Sequence, residues 1–437
     1  MKKAFLVLTI GMTALTAVLL YERLFVERFF GPAAVAALGL LLCVVLAFFI
    51  SYLLSETRYR NNVLSTWLVL TSIAVPFFIL DLVAGFFLIK PLSPALRPDP
   101  NRHHSMVPNS YSRIEQSEFS YIQRVNNLGM RGQDATLAKP ANTFRILMLG
   151  DSFTMGKGVH DDETWSVLTE RALNEKAAAC GGPHIQVLNG GVDSYAPILS
   201  LIELRELRGT TPDVVVEDLD VTDLVQEQAY RHMGSFAADG MPLRVHAVTM
   251  TNPSLTDRVR TWIDKHLVFT RFIFVSIDKM FHYGNVDVGA RVITLADPEI
   301  VNYTLAGDTV DRRHEWADIF DSIDRMKKLS DTLHAAFVLS IYPWPHQYSD
   351  TSWIPGRYEF MAKNARPSPN SVNTIETLAA KDSIELFTAF PAFRAYRGNR
   401  DLYYKQDMHW TSVGASVMAT AMTDYLERRY SAMWCKR

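Results

Sequence analysis

The sequence predicts a doubly wound α/β domain with a parallel sheet, preceded by three transmembrane helices. Three observations carry this reading. Residues 1–90 are strongly apolar, with uncharged runs at 4–21, 29–54 and 63–80. From residue 143 onward, short apolar runs alternate with segments of helical spacing. Those short runs are apolar on both faces, as strands of a parallel sheet between two helix layers must be.

Each N-terminal run approaches the roughly 20 apolar residues that a helix needs to cross the hydrocarbon core. The first run follows Lys2 and Lys3 and lacks a small-residue cleavage site, and two more runs follow it. It therefore reads as a retained span rather than a cleaved signal. Lys2, Lys3, Arg58 and Arg60 flank one side, whereas Arg23 and Arg28 are offset by Glu22 and Glu27. This bias places the N-terminus in the cytoplasm, and three spans deliver everything after Lys90 to the extracytoplasmic side of the inner membrane. Asp81 sits in the third span, where an acid is costly. A functional role and a simple contact with a neighbouring helix both remain open for it. The 44 basic and 46 acidic residues nearly cancel, which gives no reason to expect a nucleic-acid partner.

Residues 91–140 are rich in Pro, Ser, Asn and Arg and read as a linker and lead-in. The domain at 141–437 then runs in order. "FRILMLG" is a strand, 163–176 a helix, "IQVLNGG" a strand and 197–207 a helix. "DVVVEDLDV" is the third strand. After an insertion at about 226–311 come a helix at 316–333, the strand "AAFVLSIYP" and a helix at 373–380. The strand "IELFTAF" and an amphipathic helix at 412–429 close the chain. The insertion reads as a substrate lid, a membrane-surface contact or structural cover.

Sites in such sheets lie at the carboxyl ends of strands. There the first strand runs into "GDSFTMGKGV". A phosphate loop needs four residues between its glycines and then Lys with Ser or Thr, and this spacing fails. No G-x-G-x-x-G and no G-x-S-x-G is present at this turn. A serine here still serves as a nucleophile if a base and an orienter reach it. "DMHWTSVGA" supplies them just before the last helix. Asp407 and His409 are two residues apart, so in extended chain both side chains point the same way. The aspartate then supports the tautomer and the positive form of the histidine.

These blocks resemble the SGNH (GDSL-like) hydrolase superfamily. The resemblance rests on "GDSFTMGKGV", "VLNGGVDSY", "PDVVVEDLDVTDL" and "DMHWTSVGA", with the lead-in "NNLGMRG" similar to membrane-anchored or exported bacterial members. It implies a flavodoxin-like sheet order, a nucleophile at Ser152, a base at His409 and an orienter at Asp407. It also implies action on carboxylic esters, often acetyl groups of glycans, without a cofactor. An oxyanion hole would form from Ser152, Ser194 and Thr222. Two departures stand out. Ser194 occupies the usual glycine position of the second block, and Thr222 replaces the usual asparagine of the third. The loss of a side-chain amide donor makes a catalytically degenerate, glycan-binding or assembly module the rival reading.

Trp344, His346 and Trp410 are candidates to line the substrate pocket, with ordinary packing as the alternative. His103 and His104 lack a further residue at metal-ligand spacing, so no metal is expected. Asp151 is expected to brace its turn. Cys43 lies in the second apolar run. In the implied topology the first and last helices of the domain share a face. Cys180 follows the first and Cys435 the last, so the two are expected to meet in a disulfide. The expected partners are the bilayer, an acylated glycan or lipid-linked substrate, and an envelope-biosynthesis membrane protein.

Overall fold

The computed structural model describes Arg58 and residues 60–88, 95–116, 118–220, 222–247, 267, 270 and 301–435. The chain divides into two compact units. One comprises Met1–Leu92 with Met250–Tyr283, and the other Ser93–Thr249 with Gly284–Arg437.

In the first unit, α1 (Arg60–Leu88) is a continuous helix of 29 residues with Pro76 inside it. Among the described residues no helix is long and apolar enough to cross a membrane. The third expected span, which coincides with α1, therefore gains no support as a span. The first two lie outside the described residues. Asp81 is fully buried, and its Oδ2 accepts the Thr270 amide at 3.0 Å and the Thr270 hydroxyl at 2.6 Å. Thr270 belongs to the stretch expected to be an insertion, so part of that stretch clusters with the N-terminal residues.

The second unit begins with structure where a linker was expected. Strands β1 (Leu96–Asp99) and β2 (His103–Met106) form one antiparallel hairpin. Strands β3 (Ser110–Glu115) and β4 (Ser120–Val125) form another. Their buried residues include Ser105, Ser112 and Gln123 as well as Met106, Tyr121 and Val125. Polar side chains on the buried face hide the period-2 signal, which is why composition suggested a linker.

The main sheet then builds in the expected order. Strand β5 (Thr143–Gly150) leads through α2 (Ser152–Met155) and α3 (Trp165–Ala179) to β6 (His184–Asn189). Helix α4 (Pro197–Glu206) returns to β7 (Val214–Leu219), which leads into α5 (Asp223–His232). A small hairpin of β8 (Gly234–Phe236) and β9 (Pro242–Val245) follows. Helix α6 (Arg313–Thr332), β10 (Ala336–Ile341), α7 (Pro345–Tyr348), α8 (Asn370–Lys381), β11 (Glu385–Thr388), α9 (Phe390–Ala395) and α10 (Ser412–Trp434) complete the chain. The strand order is β11-β10-β7-β5-β6, and every pairing is parallel. This is the 2-1-3-4-5 order of a flavodoxin-like sheet.

Alternation along the strands divides the core. Phe144, Ile146 and Met148 of β5 pack with Trp165 and Leu173 of α3 and with Met418, Met422 and Leu426 of α10. Leu147 and Leu149 point to the opposite face, against Leu201 of α4, Ile323 of α6 and Ile375 of α8. Helices α3 and α10 thus share one face. Cys180 and Cys435, at their ends, are joined by a disulfide with Cα atoms 5.4 Å apart.

Candidate active site

The first β-strand of the sheet delivers the serine. Gly150 ends β5 at φ +142°, and a Cβ there would lie 2.8 Å from the Asp218 carbonyl oxygen. Only glycine fits that approach. Asp151 then caps α2, its Oδ1 accepting the Phe153 amide at 2.9 Å. Ser152 therefore starts a short helix at the carboxyl end of a central strand, as this sheet class dictates. Arg131, from the lead-in, clasps the turn. Its guanidinium donates to the carbonyls of Met155, Gly156 and Val159 at 3.1, 2.5 and 2.7 Å and pairs with Asp161 at 2.8 Å.

The loop before α10 supplies the other two groups. Glu118, in the β3–β4 turn, holds that loop by accepting the amides of Lys405, Gln406 and Asp407 at 2.8, 2.6 and 2.8 Å. His409 Nε2 lies 2.7 Å from Ser152 Oγ. Asp407 Oδ1 bonds His409 Nδ1 and also accepts the His409 amide at 2.8 Å. A carboxylate at Nδ1 fixes the hydrogen there, so Nε2 presents its lone pair to the serine hydroxyl. All three side chains are buried. Burial by itself would raise the Asp407 carboxyl, but the charge of His409 and its hydrogen bonds outweigh that and hold it below its usual value. The aspartate therefore stays ionised beside the imidazole.

The two departures have specific local settings. Ser194 is in the left-handed region at φ +61°. Asp193 beside it pairs with Lys157 at 3.1 Å. The Thr222 amide donates to Asp220 Oδ1, so that amide is already committed. Asp220 is the centre of a buried network. Its Oδ2 accepts the Tyr342 hydroxyl and the Trp344 indole N–H, each at 2.8 Å. The Tyr342 oxygen also lies 3.2 Å from Asp151 Oδ1. Burial, followed by the neighbouring Asp220, pushes the Asp151 carboxyl well above its usual range.

Trp344, His346 and Trp410 do not form an open substrate wall. Each is at most 3% exposed. Trp344 is spent on Asp220, and His346 Nε2 bonds Thr304 Oγ1 at 2.8 Å. Trp410 packs edge-on to Phe153 and Tyr342 at 4.9 Å. Packing, the bland alternative, describes all three. Glu118, Arg131, Asp220 and Tyr342 were not singled out from the sequence as site residues. Arg131 lay inside the "NNLGMRG" lead-in and Asp220 inside the third block, without being marked there. Among the described residues no group of three His, Cys, Asp or Glu side chains is placed to hold a metal ion.

No protein-family model matches the chain, and no curated protein matches it. Solved structures do match. One is a member of the lipolytic protein G-D-S-L family from Veillonella parvula, at 10% identity and TM-score 0.33, covering 66% of this chain and 98% of that one. Another is TesA, at 14% identity and TM-score 0.33, covering 65% and 98%. A third is an acetylxylan esterase from Geobacillus stearothermophilus, at 10% identity and TM-score 0.34, covering 66% and 95%. The chain resembles the SGNH hydrolases. At these TM-scores the overall likeness bears on neither activity nor substrate; the SGNH reading here stands on the four sequence blocks and the serine–histidine–aspartate geometry.

Proposed function

We propose that this protein is a membrane-anchored, extracytoplasmic serine esterase or O-acyltransferase. Its substrates are acyl esters, with acetyl esters of a cell-envelope glycan or lipid-linked sugar foremost. The observation that carries the reading is the 2.7 Å contact between Ser152 Oγ and His409 Nε2, with Asp407 on the far side of the imidazole. His409 takes the serine proton as Oγ attacks the ester carbonyl. The C–O bond to the leaving alcohol then breaks, and His409 returns the proton to that alcohol. Water or a sugar hydroxyl, deprotonated by His409, attacks the acyl-serine and releases Ser152. Amides of Ser152 and Ser194 and the Thr222 hydroxyl would stabilise the oxyanion.

Membrane attachment rests on the uncharged runs at 4–21 and 29–54 and on exposed apolar side chains of α1, such as Ile73, Phe78 and Leu80. The Cys180–Cys435 disulfide supports an oxidising compartment, and hence an odd number of crossings. Protease added outside intact spheroplasts should cut the domain; complete protection would overturn the export reading.

The rival is a non-catalytic glycan-binding module, favoured by the missing asparagine at Thr222. Release of nitrophenol from a chromogenic acetyl ester by the full-length chain separates the two. Ser152→Ala should remove that activity. Equal rates for both proteins would sink the enzyme reading for that ester.

A further inference from the structure

The Ser194 loop is gripped from behind by two histidines of the β1–β2 hairpin. His104 Nε2 lies 2.6 Å from the Asp193 carbonyl oxygen. A carbonyl only accepts, so Nε2 carries the hydrogen. His104 Nδ1 lies 2.9 Å from His103 Nδ1. Burial lowers both histidines, His103 to about 4, so both rings are neutral near pH 7. With its hydrogen on Nε2, neutral His104 accepts at Nδ1, and His103 Nδ1–H donates to it. A directed chain of hydrogen bonds therefore runs from His103 through His104 to the Asp193 carbonyl.

That carbonyl belongs to the same trans peptide as the Ser194 N–H, and the two point in opposite directions. Fixing one aims the other. The next peptide is held as well, because the Tyr230 hydroxyl donates to the Ser194 carbonyl at 2.8 Å. Tyr195 in turn donates to the His104 carbonyl at 2.7 Å. Ser194 keeps φ +61° because both flanking peptides are anchored.

We infer that His104, oriented by His103, is a positioning residue that aims and polarises the Ser194 N–H as an oxyanion donor. Hydrogen bonds in such a chain strengthen one another, so the amide becomes a better donor than its own chemistry provides. The lead-in hairpin thereby offsets a site with no third-block asparagine. This inference rests on the serine-hydrolase reading of Ser152.

The test uses the full-length chain with three measurements. These are acetyl-ester kinetics, labelling of Ser152 by a fluorophosphonate, and affinity for a boronic acid that forms a tetrahedral anion on the serine. His104→Ala should lower kcat and boronate affinity by about 10–100-fold, approaching the loss of one oxyanion donor, while KM stays nearly constant. His104→Gln, whose amide N–H can still reach the carbonyl, should recover most of both. Native kcat and boronate affinity in a folded His104→Ala protein would overturn the inference. Should that variant fail to fold, His103→Phe removes the donor to His104 while keeping a ring in place. A smaller fall in the same two quantities supports the chain, and no fall overturns it. If the native protein is not labelled at Ser152, the hydrolase reading itself falls, and the inference with it.

Discussion

Asp407 serves His409 twice, through Nδ1 of the ring and through the backbone amide. An asparagine in its place can still accept from the amide. It carries no charge to stabilise the imidazolium, and if its NH₂ rather than its oxygen turns to Nδ1 the wrong tautomer is favoured. Asp407→Asn should therefore fold normally and lose on the order of 10³–10⁴ in kcat, as expected for a triad aspartate. Steady-state kinetics beside a melting curve check this, and near-native kcat would remove Asp407 from the mechanism. Ser152, Asp407 and His409 were legible in sequence because the chemistry demands three residue types at two fold-defined places. Asp220 and Tyr342 were not, because their pairing crosses 122 residues and no local pattern marks it. For Trp344 the sequence left substrate lining and ordinary packing both open. Its indole N–H is committed to that buried carboxylate, which nothing in "YPWPHQ" reveals.

At the scale of elements, β7 is the costly strand. Glu217 and Asp218 are buried at its carboxyl end, with Asp220 and Asp223 just beyond it. Burial is the main cause that pushes Asp218 up to about 7, against the hydrogen bond from Thr154 that lowers it. The folded chain therefore holds a proton there that the unfolded chain releases at about pH 4. A raised carboxyl makes stability fall as pH rises between those two values. Asp218→Asn keeps the shape and removes the titration. The melting temperature of the native protein should fall more steeply from pH 5 to 7.5 than that of the variant; parallel curves would contradict the assignment. The parallel sheet itself was readable, since β5, β7 and β10 are apolar on both faces. The β1–β4 hairpins were not, because their strands are short and bury polar side chains such as Ser112 and Gln123.

For the whole molecule, the disulfide closes a loop of sequence separation 255 between the ends of α3 and α10. It fastens the last helix, which follows directly on the His409 loop, to the first helix after the serine turn. Breaking it by Cys180→Ser with Cys435→Ser should cost about 2–4 kcal/mol in denaturant unfolding, mostly by freeing the unfolded chain. Native activity should survive at low temperature. Unchanged stability under reducing and oxidising conditions would show that the bond does not form in the folded protein.

The same bond turns the chain into a ring with an N-terminal arm. Ser152 lies on the arm, while Ser194, Thr222 and the Asp407–His409 pair all lie on the ring. A single backbone cut anywhere between the two cysteines opens the ring without releasing a fragment. Clipping within 250–283, where the chain leaves the hydrolase-like unit and returns to it, leaves nucleophile and base covalently connected. Such a nick is silent on a non-reducing gel and appears only when thiols are added. A cut that would divide an ordinary chain in two leaves this one whole.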